Sequence, residues 1–154
     1  MPFSTPSFSF MATWALLLLM DGTTPHAAQK PAFQPEDPLP HTLAVETGEF
    51  RRIRGELFIE VSDAEGETIT AEIHPVTGRN VTVRFDSLAP GPVAVRLFHD
   101  ENSNGKLDTN LLGIPTEGYG FSNNPRSRFG EPALEDRLFE LRTDTTIQIR
   151  LTYW

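Results

Sequence analysis

The sequence predicts an all-β fold, a single β-sandwich with one long ordered loop. Three observations favour this class: apolar and polar residues alternate in six short segments, no window keeps a helical period, and turn-forming stretches separate the segments. Alternation with a period of two places the apolar side chains on one face of a strand. Several short strands joined by turns are typical of a sandwich and not of an α/β fold.

The predicted strands run from residue 43 to residue 151. Their alternating apolar residues are Leu43 and Val45; Leu57, Ile59 and Val61; Ile69, Ala71 and Ile73; Val81, Val83 and Phe85; Val93, Val95 and Leu97; and Ile147, Ile149 and Leu151. Turn-forming stretches lie at 63–66, 77–80 and 88–91. In the last of these, Pro90 and Gly91 have the order preferred at the centre of a type II turn. The one weak helical candidate, 132–138, is short.

The pattern of the N-terminal residues predicts that the protein is exported. Residues 8–20 form an apolar run that is shorter than the roughly 20 residues of a membrane-spanning helix and typical of a signal peptide. With small residues at Ala27 and Ala28, we expect a signal peptide over 1–28, a proline-rich linker over 29–41 and the sandwich domain over 42–154. No Lys or Arg precedes the run, so a retained anchor or a start at Met11 stays open. The expected location is the periplasm or the exterior, with a membrane role only if the segment is uncleaved.

Composition narrows the function classes. The formal net charge of -8 would repel a nucleic-acid backbone, and no run of Lys or Arg counters it, so no nucleic-acid partner is expected. The chain has no cysteine, which excludes disulfides, thiolate metal sites and a cysteine nucleophile.

The stretch after the fifth predicted strand has the spacing of a cation-binding loop. Asp100, Asn102 and Asn104 occupy positions 1, 3 and 5 of a D-x-N-x-N-G frame, and Asp108 occupies position 9. Alternate residues in a tight loop converge on one point, and glycine at position 6 lets the backbone carbonyl of Lys106 turn inward. Such a set of neutral and charged oxygens suits calcium better than magnesium. We therefore expect these residues to bind calcium.

The frame departs from an EF-hand loop in two ways. Position 12 is Leu111, so the bidentate glutamate is absent, and the flanking segments are strands and not helices. Asparagine at two positions lowers the ligand charge. A hairpin turn rich in Asx residues and free of metal remains the alternative, because Asp, Asn and Gly favour turns by themselves.

Residues 109–136 show no strand pattern but contain aromatic residues spaced by glycines. Loops of that length in a compact domain are usually functional or disordered, and this composition indicates an ordered cover. The candidate binding surface at this end of the domain comprises His99, Glu117, Tyr119, Phe121, Asn123, Asn124, Arg126 and Phe129.

Residues 99–124, which read His-Asp-Glu-Asn-Ser-Asn-Gly-Lys-Leu-Asp-Thr-Asn-Leu-Leu-Gly-Ile-Pro-Thr-Glu-Gly-Tyr-Gly-Phe-Ser-Asn-Asn, closely resemble the signature of an uncharacterised bacterial family, domain of unknown function 2141. Residues 126–130 and the pair Glu135 and Asp136 fit the same pattern. The resemblance implies a small exported protein with one all-β domain and brings no established activity. Ser103 stands where the family pattern usually has glycine, which either tightens the loop or adds a hydroxyl. Residues 88–95 also resemble the turn and strand of transthyretin-like and carboxypeptidase-regulatory-like sandwiches.

Three functions remain open. The first is an exported binding or interaction module for a small molecule, a glycan or an envelope protein, which predicts an exposed aromatic patch. The second is a structural envelope protein, which predicts buried aromatics. The third is a hydrolase or isomerase that uses His99 with a nearby carboxylate, Asp108 or Glu117. Ser122 lacks the G-x-S-x-G context of a hydrolase nucleophile, and the pair at 135–136 would point to opposite faces of a strand.

Overall fold

The computed structural model of the protein describes residues 39–126 and 130–154, so the predicted signal peptide and most of the predicted linker lie outside the described residues. The described chain forms eight strands and one single-turn helix. They are β1 His41–Gly48, β2 Glu56–Ser62, β3 Thr68–Pro75, β4 Asn80–Leu88, β5 Gly91–Asp100, β6 Gly118–Phe121, α1 Leu134–Arg137, β7 Phe139–Leu141 and β8 Thr145–Arg150. Within these residues no helix has both the length and the apolar character to cross a membrane.

The strands form two sheets that pack face to face. The smaller sheet has the order β4-β1-β8, with β1 antiparallel to β4 and parallel to β8. The larger sheet has the order β3-β2-β5-β6, and β7 pairs with the first residues of β5. The chain passes from the smaller to the larger sheet between β4 and β5. Gly91, which was expected inside a type II turn, is therefore already the first residue of β5.

The core lies between the sheets and contains the residues that the alternation predicts. Both sheets contribute fully buried side chains: Leu43, Val45 and Val83 from the smaller sheet, and Leu57, Val61 and Val95 from the larger. Burial of these apolar surfaces is the dominant favourable term in folding. The predicted β-sandwich fold is confirmed.

Strand β3 is the exception, because its apolar residues face outward. Ile73 pairs with Phe58 and Ala71 pairs with Glu60. Directly paired residues share a face, and Phe58 and Glu60 alternate with the buried residues of β2. Ile73 is accordingly 54% exposed. The opposite face of this edge strand holds Thr70, Glu72 and His74, which are partly buried.

The long segment from residue 109 to residue 136 contains a short strand that its sequence pattern does not reveal. Strand β6 pairs with β5 and has glycine at both of its inward positions, Gly118 and Gly120. A Cβ at Gly118 would lie 2.4 Å from the ring of Tyr153, and one at Gly120 would lie 2.7 Å from the carbonyl oxygen of Arg150. The C-terminal residues therefore pack directly against the backbone of β6 and fill the space that inward side chains of this strand would occupy. Helix α1 falls inside the predicted helical candidate 132–138.

Candidate functional site

The loop after β5 wraps around the carboxylate of Asp100, which is fully buried. Its Oδ1 accepts hydrogen bonds from the backbone N–H groups of Asn102 at 3.2 Å and Asn104 at 3.1 Å. Its Oδ2 accepts one from the N–H of Gly105 at 2.6 Å. Gly105 has φ +80, a conformation that glycine adopts without strain. Asp100 thus fixes the backbone of the loop from inside.

The side chains of the same loop converge on Asp108. The amide groups of Asn102 and Asn104 donate to Oδ2 of Asp108 at 2.6 and 2.9 Å, and Nζ of Lys106 lies 3.9 Å from Oδ1. The hydrogen bonds from Asn104 and then Asn102 lower the pKa of Asp108 below its usual 3.8. These hydrogen bonds therefore favour the ionised form of the Asp108 carboxylate.

Glu117 closes the base of this loop. Its Oε1 accepts from the N–H of Glu101 at 2.8 Å, and its Oε2 accepts from the N–H of Asp108 at 3.0 Å. The side chain is 4% exposed, so these two bonds satisfy a buried carboxylate. Glu117 was predicted as part of a binding surface. It lies directly before β6, and its side chain holds the two ends of the loop at the start of that strand.

The residues of this loop fit a hard cation in their chemistry. The amide groups of Asn102 and Asn104 bond to the carboxylate of Asp108, the carboxylate of Asp100 bonds to the backbone of the same loop, and oxygen ligands of this kind are those that calcium prefers. In the described part of the chain, no group of three His, Cys, Asp or Glu residues is arranged around a common point. A cation here would therefore depend on the amide oxygens of Asn102 and Asn104, and the amide groups would have to turn their oxygens toward it.

His99 lies inside the sandwich, and both of its ring nitrogens are engaged. Nε2 is 2.7 Å from the carbonyl oxygen of Arg54, and Nδ1 is 2.9 Å from the hydroxyl of Tyr153. A carbonyl only accepts, so Nε2 donates; Nδ1 then accepts from the Tyr153 hydroxyl, which itself accepts from the N–H of Arg51 at 3.2 Å. The ring is 0% exposed and also packs against Phe50 at 5.0 Å. It has no free nitrogen for a proton transfer.

Ser122 and the two asparagines after it fasten the end of β6. The fully buried Ser122 hydroxyl accepts from the N–H of Val95 at 2.9 Å and lies 2.5 Å from the carbonyl oxygen of Arg137. Asn123 donates to the carbonyl oxygen of Leu138 at 2.9 Å.

Asn124 pairs with β8 like a short piece of strand. It donates to the carbonyl oxygen of Gln148 at 2.8 Å and accepts from the N–H of Arg150 at 2.7 Å. Asn123 and Asn124 both have positive φ, at 62° and 48°, which asparagine tolerates better than most residues. Their side chains serve the backbone of the fold.

The solvent-facing side of the larger sheet presents an apolar row. Ile73, Phe58, Phe98 and Tyr119 are successive cross-strand neighbours on β3, β2, β5 and β6. The rings of Phe58 and Phe98 stack with centroids 4.7 Å apart and planes 8° from parallel. Large apolar side chains on the outer face of a sheet stay partly in contact with water unless a ligand or partner covers them.

A second row beside it carries the polar groups. Glu60 and Arg96 pair across β2 and β5 with Nη2 of Arg96 2.8 Å from Oε2 of Glu60, and Phe121 follows on β6. The hydrogen bond to Glu60 raises the pKa of the Arg96 guanidinium above its usual value. The ring of Phe121 contacts Tyr119 edge to face at 5.9 Å and lies 5.4 Å below the guanidinium carbon of Arg137.

Together the rows line a cavity of about 810 Å³, here called the outer groove. Leu107, which belongs to the loop of residues 100–108 (the Asp100 loop), also lines the groove, and so does Glu131. Cavities of roughly 300–1,000 Å³ with mostly apolar walls and a few polar groups are typical of small-molecule sites. The outer groove is therefore the candidate functional site of the described chain.

The predicted binding surface is divided between residues that line this groove and residues whose side chains hold the fold together. Tyr119 and Phe121 line the outer groove, and Arg126 lies near it in a neighbouring pocket. His99, Glu117, Asn123 and Asn124 hold the fold together as described above. Phe129 lies outside the described residues.

Sequence reasoning missed Phe58 and Phe98, which form the centre of the groove. The signal was present: each stands at a position of its strand where the alternation calls for a polar residue, between the buried pairs Leu57 and Ile59, and Leu97 and His99. An aromatic residue in the polar phase of a strand indicates an outward-facing contact surface.

Comparison with known proteins places the chain in a family. The model of DUF2141, described as uncharacterised proteins conserved in bacteria, matches residues 49–149 of the 154-residue chain. This match covers every strand from β2 to β7 and all but the last residue of β8. Neither the curated proteins nor the solved structures gave a match. The chain belongs to the bacterial family DUF2141.

Proposed function

We propose that the protein is an exported binding module whose ligand occupies the outer groove. The observation that carries the proposal is the apolar row, in which Phe58 and Phe98 stack at the centre of a solvent-facing sheet. These four side chains are half-buried or exposed, whereas a purely structural protein is expected to bury such residues. The stacked rings would lose their remaining water contact on binding.

The Asp100 loop supports the groove from one end. Leu107 lines the groove and precedes Asp108, the residue on which the loop side chains converge. A calcium ion bound by Asp100, Asn102, Asn104, Asp108 and the carbonyl of Lys106 would fix the position of Leu107. In this proposal the ion orders a wall of the groove and takes no part in chemistry, and His99 acts only inside the fold.

Export belongs to the same proposal and rests on the apolar run at 8–20 with Ala27 and Ala28 after it. Expression of the full chain in a Gram-negative bacterium, followed by fractionation and mass spectrometry of the N-terminus, tests it. A periplasmic protein that begins near residue 29 is the expected result. Protein recovered from the cytoplasm with residues 1–28 intact would contradict export.

The groove is tested with the neutral apolar fluorophore N-phenyl-1-naphthylamine, whose emission rises in an apolar site. Phe98→Ala should weaken its binding by about tenfold or more, because truncation of a central aromatic contact costs upward of about 1.4 kcal/mol. Leu112→Ala is the matched control, since Leu112 is 82% exposed and does not line the groove. Thermal melts of both variants check that the fold is retained. Equal probe affinity in all three proteins would overturn the proposal.

A further inference from the structure

A second pocket opens beside the outer groove and shares two of its walls. It has a volume of about 400 Å³, and Tyr119 and Phe121 line both cavities. Its other walls include Arg126, Arg150 and Trp154. We call it the arginine pocket. Because the two cavities share these aromatic side chains, they lie next to each other, and one elongated molecule can contact both.

The two arginines of this pocket differ from several other arginines of the chain in that they form no salt bridge with a described residue. Arg51, Arg96 and Arg137 each form a salt bridge, with Glu101, Glu60 and Glu131 respectively. Within residues 39–126 and 130–154, neither Arg126 nor Arg150 forms one. Both are exposed, and they line the same small cavity.

This pocket concentrates positive charge on a protein whose net charge is -8. The guanidinium group presents donors in a planar fork that matches a carboxylate. A wall with two such groups beside an aromatic ring favours an anion, even though the protein as a whole repels one.

The walls of the outer groove limit the rest of the ligand. The Glu60 and Arg96 side chains bond to each other, and the hydroxyl of Tyr119 accepts from the indole N–H of Trp154 at 2.8 Å. A glycan needs polar partners for many hydroxyl groups, whereas these polar groups are few and already bond to one another. The apolar row is matched better by an aliphatic chain.

From this arrangement we infer that the ligand is a long-chain carboxylate of the fatty-acid type. Its aliphatic chain lies along Phe58, Phe98 and Tyr119, and its carboxylate lies between Arg126 and Arg150. The inference rests on the proposed function, since it assigns a ligand class to the outer groove. The charge at the arginine pocket then determines which amphiphiles the groove accepts.

The test uses protein purified from the periplasm after expression of the full chain with Trp14→Phe, so that Trp154 is the single tryptophan whether or not residues 1–28 are removed. Trp154 lines the arginine pocket, so its fluorescence reports on the head group. Three ligands with equal chains are titrated below their micelle concentrations: dodecanoate, 1-dodecanol and dodecyltrimethylammonium. Calcium is left out because it precipitates the carboxylate.

Dodecanoate should bind at least about tenfold more tightly than dodecanol, and the cationic amphiphile should bind most weakly. The double change Arg126→Gln with Arg150→Gln should bring dodecanoate to the affinity of dodecanol and leave dodecanol unchanged. Arg142→Gln, an exposed arginine elsewhere on the surface, should change neither. Higher salt should weaken only the binding of dodecanoate.

Chain length separates this inference from the proposed function. Each methylene added from octanoate to dodecanoate should tighten binding up to roughly fourfold if the chain lies in an apolar groove. Equal affinity for dodecanoate and dodecanol in every variant would overturn the carboxylate inference and leave the groove in place. Tightest binding by the cationic amphiphile, the order set by net charge alone, would also overturn the inference. No gain with chain length and no effect of Phe98→Ala would overturn both.

Discussion

Nδ1 of His99 lies 2.9 Å from the hydroxyl of Tyr153, a residue 54 positions later in the chain. The bond fastens the C-terminal segment to the end of β5. Through the N–H of Arg51 and the carbonyl oxygen of Arg54, the same pair also holds the connection that precedes β2. His99, which lies within the residues that the family model matches, thus connects three segments that are remote in sequence.

We predict that Tyr153→Phe destabilises the fold by about 1–3 kcal/mol, the usual cost of leaving buried polar groups unpaired. Without the hydroxyl, Nδ1 of His99 and the N–H of Arg51 lose their partner. Urea unfolding followed by circular dichroism measures the change. Tyr119→Phe is the control, because among the described residues its hydroxyl bonds only to the exposed Trp154. A similar loss of unfolding free energy in both variants would contradict the prediction, because the buried hydroxyl of Tyr153 would then stabilise the fold no more than the hydroxyl of Tyr119.

Alkaline pH should weaken the hydrogen bond between His99 and Tyr153. Burial is the main cause that raises the pKa of Tyr153 above its usual 10.0. When the folded pKa exceeds the unfolded one, the stabilisation is complete below the unfolded value and is lost as the pH rises through the folded value. Urea midpoints should therefore fall above about pH 10, while absorbance at 295 nm follows tyrosinate formation. If Tyr153→Phe shows the same fall in this range, another group is responsible.

Gly118→Ala should destabilise the protein strongly, because the added Cβ would lie 2.4 Å from the ring of Tyr153. Overpacking of a filled site typically costs about 1–3 kcal/mol. Gly78→Ala is the matched change, since its Cβ meets nothing closer than 3.7 Å and its φ is ordinary. Thermal melts of the two variants decide the matter. Equal midpoints would mean that Tyr153 moves aside without cost.

The sequence was sufficient for most strands of the fold but not for the faces of all of them. Alternation places Leu57, Val61 and Val95 in the core correctly, because a half-buried strand has to separate apolar from polar residues. For β3 the same pattern leaves the choice of face open, and the register of Ile73 against Phe58 turns its apolar side outward. That register depends on a neighbouring strand and is not readable from β3 alone.

The candidate site was harder to predict because it is built from separate segments. Tyr119 and Phe121 were among the predicted surface residues, but Phe58 and Phe98 were not, although they provide the centre of the groove. His99 and Glu117 were included in the candidate binding surface because they lie beside the Asp100 loop in sequence, although the register of His99 with Val95 and Leu97 already directs it to the apolar face. Their burial follows from partners that are distant in sequence, Tyr153 in one case and Asp108 in the other.

Calcium should raise the melting temperature if the Asp100 loop binds it. An ion that binds only the folded state stabilises it by about 2.7 kcal/mol at a hundred times its Kd. Melts with calcium, with magnesium and with a chelator test this, and Asp100→Ala or Asp108→Ala should remove the calcium response. Asp136→Ala, an exposed aspartate on α1, should keep it. No response, or one that survives both loop variants, would contradict the cation hypothesis.

Ser103→Gly tests a loop position at which the family resemblance led us to expect glycine. Ser103 has φ 58, a left-handed conformation that costs a residue with a side chain about 1–2 kcal/mol, whereas glycine adopts it freely. Glycine gives back about 0.5–1 kcal/mol through the entropy of the unfolded chain, so the net effect should be a small stabilisation. The variant should melt at the same temperature or higher. If calcium binds, its titration midpoint should shift to lower concentration, because less of the binding energy is spent on ordering the turn. A lower melting temperature would mean that the Ser103 hydroxyl contributes a bond that outweighs the backbone strain.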